Sequence, residues 1–347
     1  MIKEIDFKII PGLSRFFLDF LSKKGFICER FLYFDELLEN EEIVERKLKS
    51  YINRDEMIKL VKVSSSNLDL SENQKLNLEL LSKDNTLVVV TSINPFFLGG
   101  PLSVLYKTLT SIFIAKKLST RFPNYNFVPI IWIEDNDHNC TRSFQINLLN
   151  KNYELVSIPV DNKMFSLWRN SISDFRIPKT LINFLEIHIH TNEYVEKNSE
   201  TSTFFINLYK SETSLTKTFV QILHYLLKNY GLLFLVSSVC RVHNSFAKIL
   251  IKEIETPGAS SKIIEKANKL LGSRGIQIKS KNSFLNIFYH TKDRRVRLDL
   301  NLIREILCLD GIEIERKEIV DFFEKNSNKF SPNVLLRPIC QDFILPT

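Results

Sequence analysis

A chain of 347 residues that is 44% hydrophobic, with 27 Phe and 10 Tyr, has apolar material for one large core or two, which excludes a disordered polypeptide. Its 47 basic and 40 acidic residues leave a charge of +7, dispersed in mixed runs such as "KDRRVR" and "ERKE"; that is the pattern of a solvated face and not of a nucleic-acid footprint. Five cysteines, at positions 28, 140, 240, 308 and 340, form no CxxC pair, so neither a disulfide framework nor a zinc finger is encoded and reduced thiols are expected.

The opening "MIKEIDFKII" lacks the continuous apolar core of a signal peptide. The longest apolar run, "GLLFLV" at 231–236, is far shorter than the roughly 20 residues that cross a membrane. A cytoplasmic protein without membrane or nucleic-acid partners is the expectation. Residues 1–82 read as helices, because apolar positions in "LSRFFLDFLSKKGF" and "LDLSENQKLNLELL" recur at steps of three and four. At 85–92 the pattern changes to "NTLVVVTS", a β-branched run suited to a strand buried on both faces. The loop "INPFFLGGP" follows, then a helix from Leu102 whose Leu102, Leu105, Leu109, Ile112 and Phe113 are expected on one buried face. "FPNYNFVPIIWI" returns as a second strand.

A crossover helix of that length makes the strands, at about 86–91 and 127–133, parallel neighbours with a right-handed connection. Loops 92–101 and 134–140 then meet in the crevice where open α/β sheets bind ligands, with Asp137 facing the loop before Leu102. "YELVSIPV" (153–160) reads as a third strand, and 161–228 as a helical, polar insertion with a loop at "EKNSETS". Next come a buried strand in "YGLLFLVSS" (230–238), a helix in "VHNSFAKILIKEIE", a hairpin from "SFLNIFYH" and "RRVRLDL", and a helix in "RKEIVDFFEKN". "NVLLRPICQDFILPT" reads as a strand or extended segment entering the core. The expected organisation is a helical segment (1–82), the first half of an α/β core (83–160), the insertion (161–228) and the second half of the core (229–347).

Chemistry concentrates where "FVPIIWI" breaks into "EDNDHN". A carboxylate beside an imidazole orients the ring and raises its basicity, which suits Asp137 and His138 to general acid–base work. Asp135, Asp137 and His138 could also hold a divalent metal, but no second ligand cluster of comparable spacing supports that, and no metal ligand is assigned. Asp and Asn also terminate strands and cap helices, so the residues alone leave catalysis and capping open. Gly99, Gly100 and Pro101 form no GxGxxG or GxxxxGK[ST] motif; they precede a helix whose free amides favour a carboxylate or phosphate, with Lys107 as a possible cation or a solvated lysine. Cys140 reads as a structural thiol. His188 and His190 in "EIHIH" alternate as on one face of a strand, and His224, His243 and His290 are isolated.

"FFLGGPLSVLYKTLTSIFIAKKLS", "FPNYNFVPIIWIEDNDHN", "YGLLFLVSS", "SKNSFLNIFYH" and "FSPNVLLRPICQDFILPT" occur in an order and character that resemble the bacillithiol biosynthesis cysteine-adding enzyme family, over roughly 80–347. The resemblance implies a Rossmann-like parallel-sheet core with an inserted helical region and a C-terminal coiled coil that makes a homodimer. It also implies ligation of L-cysteine to glucosaminyl-malate through an amide. By the same resemblance Gly100, Pro101, Tyr106 and Lys107 match the loop–helix segment, Asp137 and His138 the acid–histidine pair, and Asn286, Arg337, Gln341 and Asp342 the later segments. Asn94, Gly99, Trp132 and Asp135 complete the substrate-binding candidates.

Departures from the family pattern are Ser92, Ile93 and Asn94 in place of Gly-Gln-Gln or Gly-His-Gln, and Asn136, Asn139, Thr141 and Arg142 in place of acids. The family continues past the position of Thr347 into a glycine-rich segment and the coiled coil. A chain missing that segment is expected to fold marginally, self-associate through an uncovered end at "FILPT" and lack activity. ATP fits the energetics of amide formation, although no ATP motif is present. The alternatives are a degenerate, non-catalytic small-anion-binding relative, or a nucleotide-handling transferase or metal phosphoesterase using Asp135, Asp137 and His138.

Overall fold

The computed structural model describes residues 5–23, 33–50, 53–138, 146–149, 154–158, 168–191, 199–276, 283–301, 306–309 and 311–347. The amino-terminal part is helical, with α1 (Arg15–Leu21), α2 (Phe34–Leu38), α3 (Glu41–Ser50), α4 (Arg54–Ser64) and α5 (Glu72–Leu80). Ser71 and Gln74 form a capping box at the start of α5, and Gln74 Nε2 also donates to Leu232 O at 2.7 Å, tying this helix to the sheet.

Strand β1 (Thr86–Ile93) leads through a loop to α6 (Leu102–Arg121) and back to β2 (Asn126–Ile133). A hairpin of β3 (Ile146–Leu149) and β4 (Leu155–Ile158) follows, then α7 (Lys179–Thr191), α8 (Glu200–Ser211) and α9 (Leu215–Leu227). The chain re-enters the sheet as β5 (Leu233–Val236) and continues through α10 (Ser237–Val242), α11 (Ala247–Glu255) and α12 (Ala259–Gly272). The carboxyl-terminal part holds β6 (Ile287–His290), β7 (Arg295–Arg297), β8 (Asp299–Asn301), β9 (Ile306–Leu309), β10 (Ile312–Glu315), α13 (Ile319–Lys325), β11 (Phe330–Pro332) and α14 (Arg337–Ile344).

The central sheet runs β1-β2-β5, all parallel, as the crossover argument requires. Its register places Ile93 opposite Ile133 and Ile133 opposite Val236, so all three strands end on one row and release Asn94, Glu134 and Ser237 side by side. Side chains alternate across the sheet. Val128, Ile130, Trp132, Leu233 and Leu235 pack with α4, α11 and the carboxyl-terminal sheets. Ile131, Ile133, Phe234 and Val236 pack with Phe219 and Leu223 of α9 and Val104 of α6.

Several sequence expectations are corrected. Leu102, Leu109 and Phe113 of α6 are exposed, while its buried face is Val104, Thr108, Ser111, Ala115 and Leu118. The Thr108 and Ser111 hydroxyls donate to the helix's own carbonyls at Val104 and Thr108, so small polar residues can face the sheet with their hydrogen bonds made and the helix can sit close. β4 pairs antiparallel with β3 in a separate hairpin and adds no strand to the parallel sheet. "EIHIH" lies in α7, where residues two apart do not face each other, so the shared face proposed for His188 and His190 is lost; their side chains lie outside the described residues.

The "NVLLRPICQDFILPT" segment is not a strand. It forms α14 with Pro338 in the first turn, where its missing amide hydrogen is no loss. Nor is "FILPT" uncovered: Ile344 and Leu345 are buried in the main core, and Pro346 O accepts from Val88 N of β1 at 2.9 Å. Cys28, Asn139, Cys140, Thr141 and Arg142 lie outside the described residues.

Candidate active site

The shared strand ending creates the site. Glu134 N donates to Ile93 O at 2.8 Å, fixing the loop after β2 against the loop after β1. Across that junction Asn94 Nδ2 reaches Asp137 Oδ2 at 3.4 Å, so Asp137 faces the loop before Leu102 as its position at the strand end demands. Of Ser92, Ile93 and Asn94, where the chain departs from the family pattern, the first two belong to β1 and Asn94 is the first residue past it, where its amide meets Asp137.

Asp137 Oδ1 accepts from His138 N at 2.7 Å, lies 3.5 Å from His138 Nδ1 and forms an ion pair with Arg295 Nη1 at 3.6 Å. Burial alone would raise this carboxyl's pKa, but Arg295, the His138 amide and ring, and Arg337 together hold it below the usual carboxylate value. His138 is pushed the other way from a simple acid–histidine pair. Desolvation lowers its pKa, Asp137 opposes that, and Arg295, Arg169 and Arg297 lower it further, which favours the neutral ring. Its Nδ1 is buried without a hydrogen bond, near Asp137.

Two residues earlier, Asp135 has a different environment. Its Oδ1 accepts from Ser238 N (2.8 Å) and Ser237 Oγ (3.0 Å), and its Oδ2 from Ser238 Oγ (2.7 Å) and Thr216 Oγ1 (3.2 Å). Full burial raises its pKa to about 6 in spite of those donors, with Glu134 adding to the rise. Glu134 itself accepts from Trp132 Nε1 at 3.0 Å and pairs with Arg337, whose Nε lies 2.8 Å from Oε2 in an ion pair that lacks hydrogen-bond angles. A cavity of about 470 Å³ lies on the β5 side, lined by Asp135, Thr216, Ser238, Gln221, Ser64 and Arg176 among others; Asp137 and His138 are not in its wall.

Of the residues singled out from sequence, Asn94, Asp135, Asp137, His138 and Arg337 come together. Trp132 is wholly buried and reaches this place only through Glu134. Gly99 and Gly100, at φ +78° and +80°, shape the approach to α6, since a Cβ would meet Ile222 at 2.9 Å or Phe96 at 2.8 Å. The neighbouring Leu98 amide is held by Tyr209 Oη at 2.8 Å. Pro101 and Tyr106 are exposed, and Lys107 is exposed, its Nζ donating to Ser92 O at 3.4 Å.

Asn286 is fully buried, its amide donating to Glu253, Ser260 and Ser261 and its Oδ1 accepting from Asn333, so it locks α11 and α12 to the segment before α14. Gln341 has a buried, unpartnered Nε2, while Asp342 lies at the surface beside Lys47. Sequence reasoning missed Glu134, Thr216, Ser237, Ser238 and Arg295. The two serines ending "YGLLFLVSS" carried the same signal as "EDNDHN", polarity breaking out at a strand end. Arg295 carried none beyond its charge.

The parallel sheet with an acid–histidine pair at its carboxyl edge defines a Rossmann-like α/β protein. A family model described as "Bacillithiol biosynthesis BshC, N-terminal Rossmann-like domain" matches residues 1–347, and the chain belongs to that family. Relatives named "Putative cysteine ligase BshC" include one from Flavobacterium psychrophilum, 28% identical over 96% of this chain and 61% of the relative. Another, from Chlorobium phaeobacteroides, is 27% identical over 92% of this chain and 57% of its own length. One from Chloroherpeton thalassium is 30% identical over 77% and 48%. The chain thus spans about three fifths of the length of the first two of these relatives. No helix among the described residues is long and apolar enough to cross a membrane.

Proposed function

We propose that the chain belongs to a cytoplasmic ligase that joins the carboxyl of L-cysteine to the amine of glucosaminyl-malate as an amide, and that Asp137 and His138 act on the amine. The observation that carries this reading is the Asp137–His138 pair at the carboxyl edge of the sheet, with Asp137 Oδ1 3.5 Å from His138 Nδ1 and Arg295 beside the carboxylate. An ammonium has no lone pair, so a base must take a proton before nitrogen attacks; His138 is free to accept it, and Asp137 steadies the imidazolium that results. Asn94 and Arg295 hold Asp137. Amide formation from a carboxylate needs an activating co-substrate, for which ATP fits the energetics; the residues named here serve only the amine side.

Homodimer formation is part of the same proposal and concerns the whole protein. The geometry gives less support to a metal phosphoesterase, because Asp135 turns to Ser237, Ser238 and Thr216 while Asp137 turns to Arg295, so the two carboxylates do not converge on one point. The test is mass-spectrometric detection of a cysteine-dependent amide of glucosaminyl-malate, using the protein with whatever downstream sequence its gene encodes. Product that disappears in His138→Gln supports the reading. Product formed equally well by that variant overturns the role of His138, and no product with binding retained favours a non-catalytic relative.

A further inference from the structure

We propose that Arg295 is the positioning residue of the Asp137–His138 pair: a clamped guanidinium that fixes the Asp137 carboxylate and sets how readily His138 takes a proton. The inference deepens the reading above and rests on it for the use made of His138, but its test does not depend on turnover. The Arg295 side chain is 3% exposed and held on three sides. Its Cζ lies over the Phe288 ring, 3.8 Å from the centroid, its Nη2 donates to Ser331 Oγ (3.3 Å) and Pro332 O (3.2 Å), and its Nη1 faces Asp137 Oδ1.

These partners come from one sheet. β6 carries Phe288, β7 carries Arg295 and β11 carries Ser331 and Pro332, in the order β11-β6-β7. Phe288 also lies 6.3 Å from the His138 ring, so the same aromatic side chain backs both cation and imidazole. The charges acting on His138 are Asp137, which favours its protonation, and Arg295, Arg169 and Arg297, which oppose it. His290, coupled to both His138 and Arg295, is driven well below the ordinary histidine value by burial and by Arg241, so it stays neutral. Arg337 acts on the pair through Asp137. Lysine cannot replace this arrangement, because an ammonium has neither the planar face for Phe288 nor the fork that spans Ser331, Pro332 and Asp137.

The test is titration of the His138 ring by NMR, its signal assigned by its loss in His138→Gln. In Arg295→Met the midpoint should rise by about half a pH unit or more, as an opposing cation is removed. In Arg295→Lys it should fall between the two. An unchanged midpoint in a folded Arg295→Met protein overturns the proposal. A rise in Arg295→Met with a wild-type midpoint in Arg295→Lys also overturns it, because charge alone would then suffice without the clamp. If Arg295→Met does not fold, Arg295→Lys decides: an upward shift supports the clamp and a wild-type midpoint refutes it.

Discussion

Asp135 and Asp137 sit two residues apart on one loop, yet the β5 side and the β1 side of that loop use a carboxylate for opposite ends. On the β5 side Asp135 is buried among hydroxyls and an amide and its pKa rises to about 6. On the β1 side Asp137 is partly open, faces Arg295 and is held low. Residue type therefore does not assign the role. Neutral donors bind an acid into the fold as a clasp between β2, α9 and α10, whereas a buried cation keeps an acid charged and available to a neighbouring imidazole.

The largest effect that would break this contrast is on turnover. His138→Gln should lower the rate of amide formation by roughly 100- to 10,000-fold with folding intact, since a general base contributes about that much. Thermal melts alongside kinetics check it; an unchanged rate with a lower melting temperature would make the pair a capping device.

The two acids should also give opposite pH dependences of stability. Asp135 has a raised pKa in the folded state, so its contribution is complete below about pH 4 and is lost as pH rises through about 6, on the order of 3 kcal/mol for a shift of this size. Asp137 has a lowered pKa, so its contribution is present above the ordinary carboxylate value and is lost as pH falls through the folded one. Melting temperature against pH should therefore lose its decline between pH 4 and 6 in Asp135→Asn and its acid limb in Asp137→Asn. Interchanged effects would reverse the assignment.

Smaller effects sharpen the boundary of the site. Gly100→Ala places a Cβ against Phe96 at φ +80° and ψ −170°, a conformation essentially reserved for glycine, and should destabilise by about 1–3 kcal/mol, read from denaturant midpoints. Asp342→Asn removes a surface ion pair at 3.9 Å from Lys47 and keeps an amide oxygen to accept from Thr347 Oγ1, so it should change stability by less than about 1 kcal/mol, with turnover unaltered.

Much of the fold was legible because the signals were local. β-branched runs marked β1 and β2, and the helix length between them fixed parallel pairing, which placed Asp137 opposite the loop before Leu102. What local pattern could not show was which face of α6 meets the sheet, since Thr108 and Ser111 can hide their hydroxyls by bonding their own backbone while Phe113 stays outside. Arg295 was hidden for a different reason. It lies 158 positions from Asp137, and only the β6–β7 hairpin brings the two together, so no spacing along the chain could have named it. Asn286, matched to the family segment, proved to be a buried lock, because a sequence match does not tell a contact with a ligand from a contact within the fold.

The most direct measurement is a pH titration of the two carboxyl groups by carbon-13 NMR, with Asp135→Asn and Asp137→Asn to assign the signals. Asp135 should titrate near pH 6 and Asp137 below the ordinary carboxylate range, leaving Asp137 as the charged partner of His138. Equal midpoints near 4, or an Asp137 that titrates above Asp135, would contradict the division of labour on which the proposed chemistry stands.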